Sequence, residues 1–121
     1  MKGIFVNQLS AQGVKYADLI VDGVKAIETR SRNMLSACLC ERVAIIRTVR
    51  GKKPVVIGYA DMVGSVHSEK TAADCYESTF VPEGSKFAGN RWFYLLRNAE
   101  RCQPYALPEN AIRHGRSWCE F

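Results

Sequence analysis

The stretch RVAIIRTVRGKKPVVIGYADMVGSV, Arg42 to Val66, decides how the rest of the chain is read. Two runs rich in Val, Ile and Ala flank the turn Arg50-Gly51-Lys52-Lys53. Branched aliphatic residues on both sides of a Gly-containing turn read as strand, turn and strand. Pro54 stands at the mouth of the second strand, where its missing N–H does least harm. A doubly wound α/β sheet would need a crossover helix between its parallel strands, and none fits here.

Outward from this hairpin the chain alternates between short strands and sparse helices. KGIFVN, Lys2 to Asn7, reads as a first strand centred on Ile4, Phe5 and Val6. In SAQGVKYADLIVDG, Ser10 is a candidate helix cap, and Tyr16, Leu19, Ile20 and Gly23 keep the three-four spacing of a helix face. Gly23 suits the left-handed position just past the last turn. AIETR, Ala26 to Arg30, then reads as a strand, with Ile27 and Thr29 on one face and Ala26, Glu28 and Arg30 on the other. HSEKTAADCYESTF reads as helical, with Ser68 as a cap and Ala72, Cys75 and Phe80 as packing positions. RWFYLLRN is a strong strand, Pro104 and Pro108 bracket a crossing segment, and RSWCEF closes the chain as a short strand. The expected fold is α+β: a small β-barrel of five or six strands flanked by helices.

With 121 residues the chain is expected to be one domain, 1–121, around one core. Nothing is long or apolar enough to cross a bilayer, and the N-terminal apolar run is too short for a secretory signal. A cytoplasmic location is expected. Five cysteines (Cys38, Cys40, Cys75, Cys102, Cys119) contain no CxxC pair, and His67 and His114 sit in unrelated segments. They read as reduced thiols and ordinary histidines, with no metal and no cofactor expected. The net charge of +5 favours phosphate-bearing partners, although solubility alone is a sufficient reason for it.

Three groups of residues could carry chemistry. Lys25, Glu28 and Arg30 converge where the helix ends and the strand begins. Burial lowers a lysine's pKa and raises a carboxylic acid's, so such a pair can serve as acid and base, with an arginine fork holding an anion. Taken alone, the pattern fits a solvated, salt-bridged strand better than a site. Arg47, Arg50, Lys52 and Lys53 cluster on the hairpin turn, either as charges that protect an edge or as a phosphate-tracking patch, with Arg42 nearby. Trp92, Tyr94 and Trp118 are candidates for stacking on bases, although core packing is the commoner fate. Strand alternation places Phe93 on the face opposite Trp92 and Tyr94. No P-loop, GxGxxG or GxSxG pattern is present.

The blocks FVNQLSAQGVKYADLIVDGVKAIETRSRN, PVVIGYADMVGSV and RWFYLLRNAERCQPYALPENAIRHGRSWCEF, in this order, resemble the ASCH domain of the PUA-like superfamily of small barrels. Gly23, Lys25, Glu28 and Arg30 match its G-x-K-x-x-E-x-R motif. The resemblance implies a cleft lined by Lys25, Glu28 and Arg30 that takes RNA or a nucleotide-like ligand. Some bacterial members are amidohydrolases that deacetylate 4-acetylcytidine, and their motif has Thr where this chain has Glu28. For that activity, or another RNA-processing hydrolysis, Lys25 and Glu28 would be the catalytic pair. Glu69, Asp74 and Glu77 are the candidates for the further carboxylate those enzymes use. A binding module is the reading preferred over the hydrolase.

Overall fold

The computed structural model describes residues 1–8 and 11–121. Seven strands form one mixed sheet: β1 Lys2–Asn7, β2 Ile27–Arg30, β3 Glu41–Thr48, β4 Val55–His67, β5 Trp92–Ala106, β6 Ile112–His114 and β7 Trp118–Glu120. Their order is β2-β5-β4-β3-β1-β7-β6. Every pairing is antiparallel except that of β1 with β3. Helices are few: α1 Tyr16–Val21 and α2 Tyr76–Thr79, with single 3-10 turns at Ser36–Cys38 and Ala73–Cys75.

The hairpin that organises the sequence is the β3–β4 pair, with Ile45 opposite Gly58 and Arg47 opposite Val55. Val43 and Ile45 pack in the larger apolar cluster, while Ala44 and Ile46 pack in a second cluster with Phe5 and Val56. Successive residues point to opposite faces, so burial of all four means that both faces are covered there. The same holds for Phe93 and Tyr94 of β5, both buried in place of the one-in, one-out pattern expected of them.

α1 lies on the larger cluster and buries Tyr16, Ala17, Ile20 and Val21. The expected cap at Ser10 lies outside the described residues. α1 ends as read, with Gly23 at φ +76° and the amides of Val24 and Lys25 both donating to the Leu19 carbonyl at 3.0 and 2.9 Å. Beneath α1, Gly58 leaves room for Val21. A Cβ on Gly58 would stand 2.6 Å from Val21 Cγ1 and 2.3 Å from the Glu100 carbonyl oxygen.

Four expectations are corrected. Seven strands replace five or six, because β6 has only three residues, all exposed, and leaves no periodic trace. The ladder runs from β2 to β6 without those ends pairing, so the sheet is open rather than closed. A side chain links the terminal strand β2 to β1 instead, since Arg30 Nη2 donates to the Phe5 carbonyl at 2.6 Å. β5 runs on through Pro104, where a crossing segment was expected. Val56 pairs with Tyr105 and Gly58 with Arg101, so Ile57 alone faces Cys102 to Pro104, and the missing amide falls in this bulge. The expected helix after His67 shrinks to a 3-10 turn and one turn of α2, which Phe80 ends at φ +61°. Ser68 Oγ accepts from the Lys70 amide rather than capping a helix, and Thr71 and Asp74 exchange side chain–amide bonds at 3.2 Å. Among the described residues no helix is long and apolar enough to cross a membrane.

Candidate ligand cleft

The turn after α1 drives Lys25 into the core, where it is 1% exposed. Its Nζ donates to the carbonyls of Thr79, at 2.6 Å, and of Ile27, and lies 5.4 Å from the centre of the Tyr16 ring. Glu28 Oε1 is 4.0 Å away. Burial pushes the Lys25 ammonium down from 10.5 to about 8, the Glu28 carboxylate opposing and the Arg30 charge reinforcing the shift. Lys25 also ties the end of α2 to the start of β2, since it holds Thr79 and Ile27 together.

Glu28, the second residue of β2, is buried, as is Thr29 after it. Its Oε1 accepts from the Thr29 amide and its Oε2 from Arg30 Nη2, both at 3.0 Å. Arg30, held between Glu28 and the Phe5 carbonyl, is thereby fixed in position. The neighbouring Thr29 hydroxyl accepts from Asn90 Nδ2 at 3.3 Å. Lys25, Glu28 and Arg30 therefore stand side by side, with Glu28 between the two cations.

All three line a cleft of about 910 Å³. Its wall holds six cationic side chains, Lys25, Arg30, Arg50, Lys86, Arg113 and Arg116, against one carboxylate, Glu28. Arg50, Lys86, Arg113 and Arg116 are exposed and form no ion pair among the described residues. Aromatic rings alternate with them: the Arg113 guanidinium lies 5.4 Å from the Phe5 ring centre, and Lys86 Nζ 5.1 Å from that of Phe87. Tyr16 and Phe87 meet edge to face at 6.1 Å. The wall thus combines cations that no carboxylate neutralises with rings that lie beneath them, an arrangement with an electrostatic preference for anions.

The other expected residues divide. Of the basic turn, Arg50 joins this cleft, whereas Arg47, Lys52 and Lys53 line a second hollow of about 330 Å³. Tyr94 is fully buried, its hydroxyl donating to Asn33 Oδ1 at 2.7 Å and accepting from the amides of Met34 and Leu35. Trp92 stacks on His67 and Trp118 on His114, and neither lines the cleft. Glu69, Asp74 and Glu77 are exposed and also lie off the cleft wall. Among the described residues no three His, Cys, Asp or Glu side chains gather as a metal set.

The sequence reading missed Phe5, Tyr16, Phe87, Lys86, Arg113 and Arg116 as cleft residues. A signal was present in GSKF and RHGR, short basic stretches beside a glycine. Nothing in their spacing ties either to the Lys25 motif.

No family model and no curated protein matches this sequence. Solved structures do match. The ASCH protein of Zymomonas mobilis is 25% identical over 87% of this chain and 73% of its own, with a TM-score of 0.61. A tyrosine-to-phenylalanine variant of it gives 25% identity over 88% and 77%, again at 0.61. A serine-to-alanine variant gives 21% identity over 98% and 87%, at 0.66. On this similarity the chain has the fold of an ASCH domain.

Proposed function

We propose that the cleft binds a phosphate-bearing, nucleotide-like ligand, a single strand of RNA or a nucleotide. The observation that carries the reading is the wall of six cations and one carboxylate around ring faces. Phosphate contacts supply affinity by Coulomb attraction and counterion release, while a base can lie against an aromatic or guanidinium face. Glu28 serves the site by fixing Arg30. Lys25 serves it by anchoring the Thr79 end of the loop that carries Lys86 and Phe87.

The test is a titration of single-stranded RNA by fluorescence anisotropy at several salt concentrations. Arg113→Gln with Arg116→Gln should weaken binding and flatten the slope of log K against log salt by about 1.4, at roughly 0.7 per single-strand phosphate contact. A slope that both substitutions leave unchanged rules the cleft out as the binding site.

A second reading has one observation of its own. Lys25, whose ammonium burial pushes down to about 8, stands 4.0 Å from the one carboxylate that the described residues place on the cleft wall. In an amidohydrolase on acetylated cytidine, Glu28 would take the proton of the attacking water and return it to the amine as the C–N bond breaks and acetate leaves, Lys25 would face the developing oxyanion, and Arg30 would hold the ligand. Binding is favoured because both Glu28 oxygens are already engaged and Lys25 donates to two backbone carbonyls. Turnover of 4-acetylcytidine by the wild type that Glu28→Gln abolishes would establish the hydrolase. No turnover with binding retained leaves the binding module.

A further inference from the structure

The second hollow lies on the other side of the same strand ends. Asn7 and Thr48, paired across β1 and β3, line the large cleft, and the residues that follow them, Gln8 and Val49, line the small one. The divider is polar and cross-linked by hydrogen bonds, although the Gln8 side-chain oxygen is buried without a partner among the described residues. The Gln8 amide donates to the Thr48 carbonyl at 3.0 Å, and Thr48 Oγ1 to Asn7 Oδ1 at 3.1 Å. The hairpin turn straddles it, with Arg50 on one side and Lys52 on the other.

The two hollows differ in chemistry. Among the described residues the small one carries four cations, Lys15, Arg47, Lys52 and Lys53, with no carboxylate and no aromatic ring on its wall. Lys15, Arg47 and Lys52 form no ion pair among the described residues. Lys53 reaches Glu109 at 3.6 Å, but both side chains are more than four-fifths exposed, so that pair is solvated and weak. At about 330 Å³ the hollow has room for a phosphate and its sugar, with no ring surface for a base. The large cleft has both ring faces and cations.

From this difference we infer that the small hollow is a second, backbone-only phosphate site. A single-stranded nucleic acid would seat one nucleotide in the large cleft and cross the Asn7–Thr48 divider to place a neighbouring phosphate among Arg47, Lys52 and Lys53. The inference rests on the nucleotide reading of the large cleft and adds that the ligand is an oligonucleotide rather than a mononucleotide. Because the second site lacks rings and has only charge to offer, its contribution is indifferent to base sequence. A duplex does not fit this path, since its stacked, paired bases are not free to enter a one-nucleotide cleft.

The experiment compares uridine 5′-monophosphate with oligouridylates of increasing length, on wild type and on Arg47→Gln/Lys52→Gln/Lys53→Gln. Thermal unfolding of both proteins checks that the fold is kept, and Arg47→Lys, which keeps the charge, should behave as wild type. Wild-type affinity should rise from the mononucleotide to the oligomers. The triple substitution should erase that rise, weakening oligomer binding roughly tenfold or more and flattening its salt slope by about 2, at roughly 0.7 for each of three contacts. Mononucleotide affinity should stay at the wild-type value. Wild-type affinity independent of length, or a triple variant that keeps the length gain and the slope, overturns the second site. Mononucleotide binding that Arg113→Gln/Arg116→Gln leaves intact overturns the cleft reading beneath it, a separate result.

Discussion

Lys25 is an ammonium in the core, and its energetics can be read through pH. Its folded pKa of about 8 lies below the ordinary 10.5, so between those values the unfolded chain binds more protons than the folded one. Stability contributed by this residue therefore rises with pH across that window, by up to about 3 kcal/mol. Cys38 acts the other way: burial pushes its thiol from 9.0 to about 11, so its contribution falls as pH rises through that range. Comparing urea unfolding of wild type and Lys25→Met isolates the lysine. Lys25→Met should be less stable by roughly 2–4 kcal/mol near neutral pH, since it strands two carbonyls and unbalances Glu28. The wild-type advantage should widen as pH rises past 8 toward 10.5. An advantage constant in pH would mean that Lys25 is not desolvated. At this scale the spacing from Gly23 to Arg30 and the period of a strand bear on where Lys25, Glu28 and Arg30 lie relative to one another, and not on what they do. That Lys25 sits at 1% exposure was not legible, because one of the two carbonyls that accept from it belongs to Thr79, 54 positions away.

Elements supply two further tests. α1 crosses β4 where Gly58 has no side chain, so Gly58→Ala should destabilise the protein by roughly 3 kcal/mol or more in chemical denaturation. Adding Val21→Ala should restore only part of this, because the Glu100 carbonyl, 2.3 Å from the added Cβ, cannot retreat as a side chain can. Full restoration would place the whole clash on Val21. The second test concerns β2, which pairs only with β5 and is linked to β1 by the Arg30 side chain. Arg30→Met should speed amide exchange in Ile27–Arg30 while β3 and β4 keep their protection. Unchanged exchange in β2 would show that β5 alone holds it. The β3–β4 hairpin was readable because both strands are long runs of branched residues around a glycine turn. β6 and the passage of β5 through Pro104 were not. The first is too short to show a period, and the second depends on a bulge that only the register against Ile57 reveals.

On the scale of the whole molecule, the cleft is a product of topology. Arg50 comes from the β3–β4 turn, Lys86 from the segment after α2, Arg113 from β6 and Arg116 from the turn before β7. The parallel placement of β1 beside β3, with β7 and β6 beyond, folds the C-terminal basic stretch back over Phe5. No local pattern encodes this convergence: the net charge of +5 shows an excess of cations, while their positions come from the fold. The measurement that tests the account most directly is a heteronuclear NMR titration of the protein with uridine 5′-monophosphate. The account predicts that shift changes centre on the cleft wall, at Phe5, Thr29, Arg30, Phe87 and Asn90, and weaken as salt is raised. Changes confined to the outer face of β4 around Val63 and Val66, or the absence of any change at low salt, would contradict it.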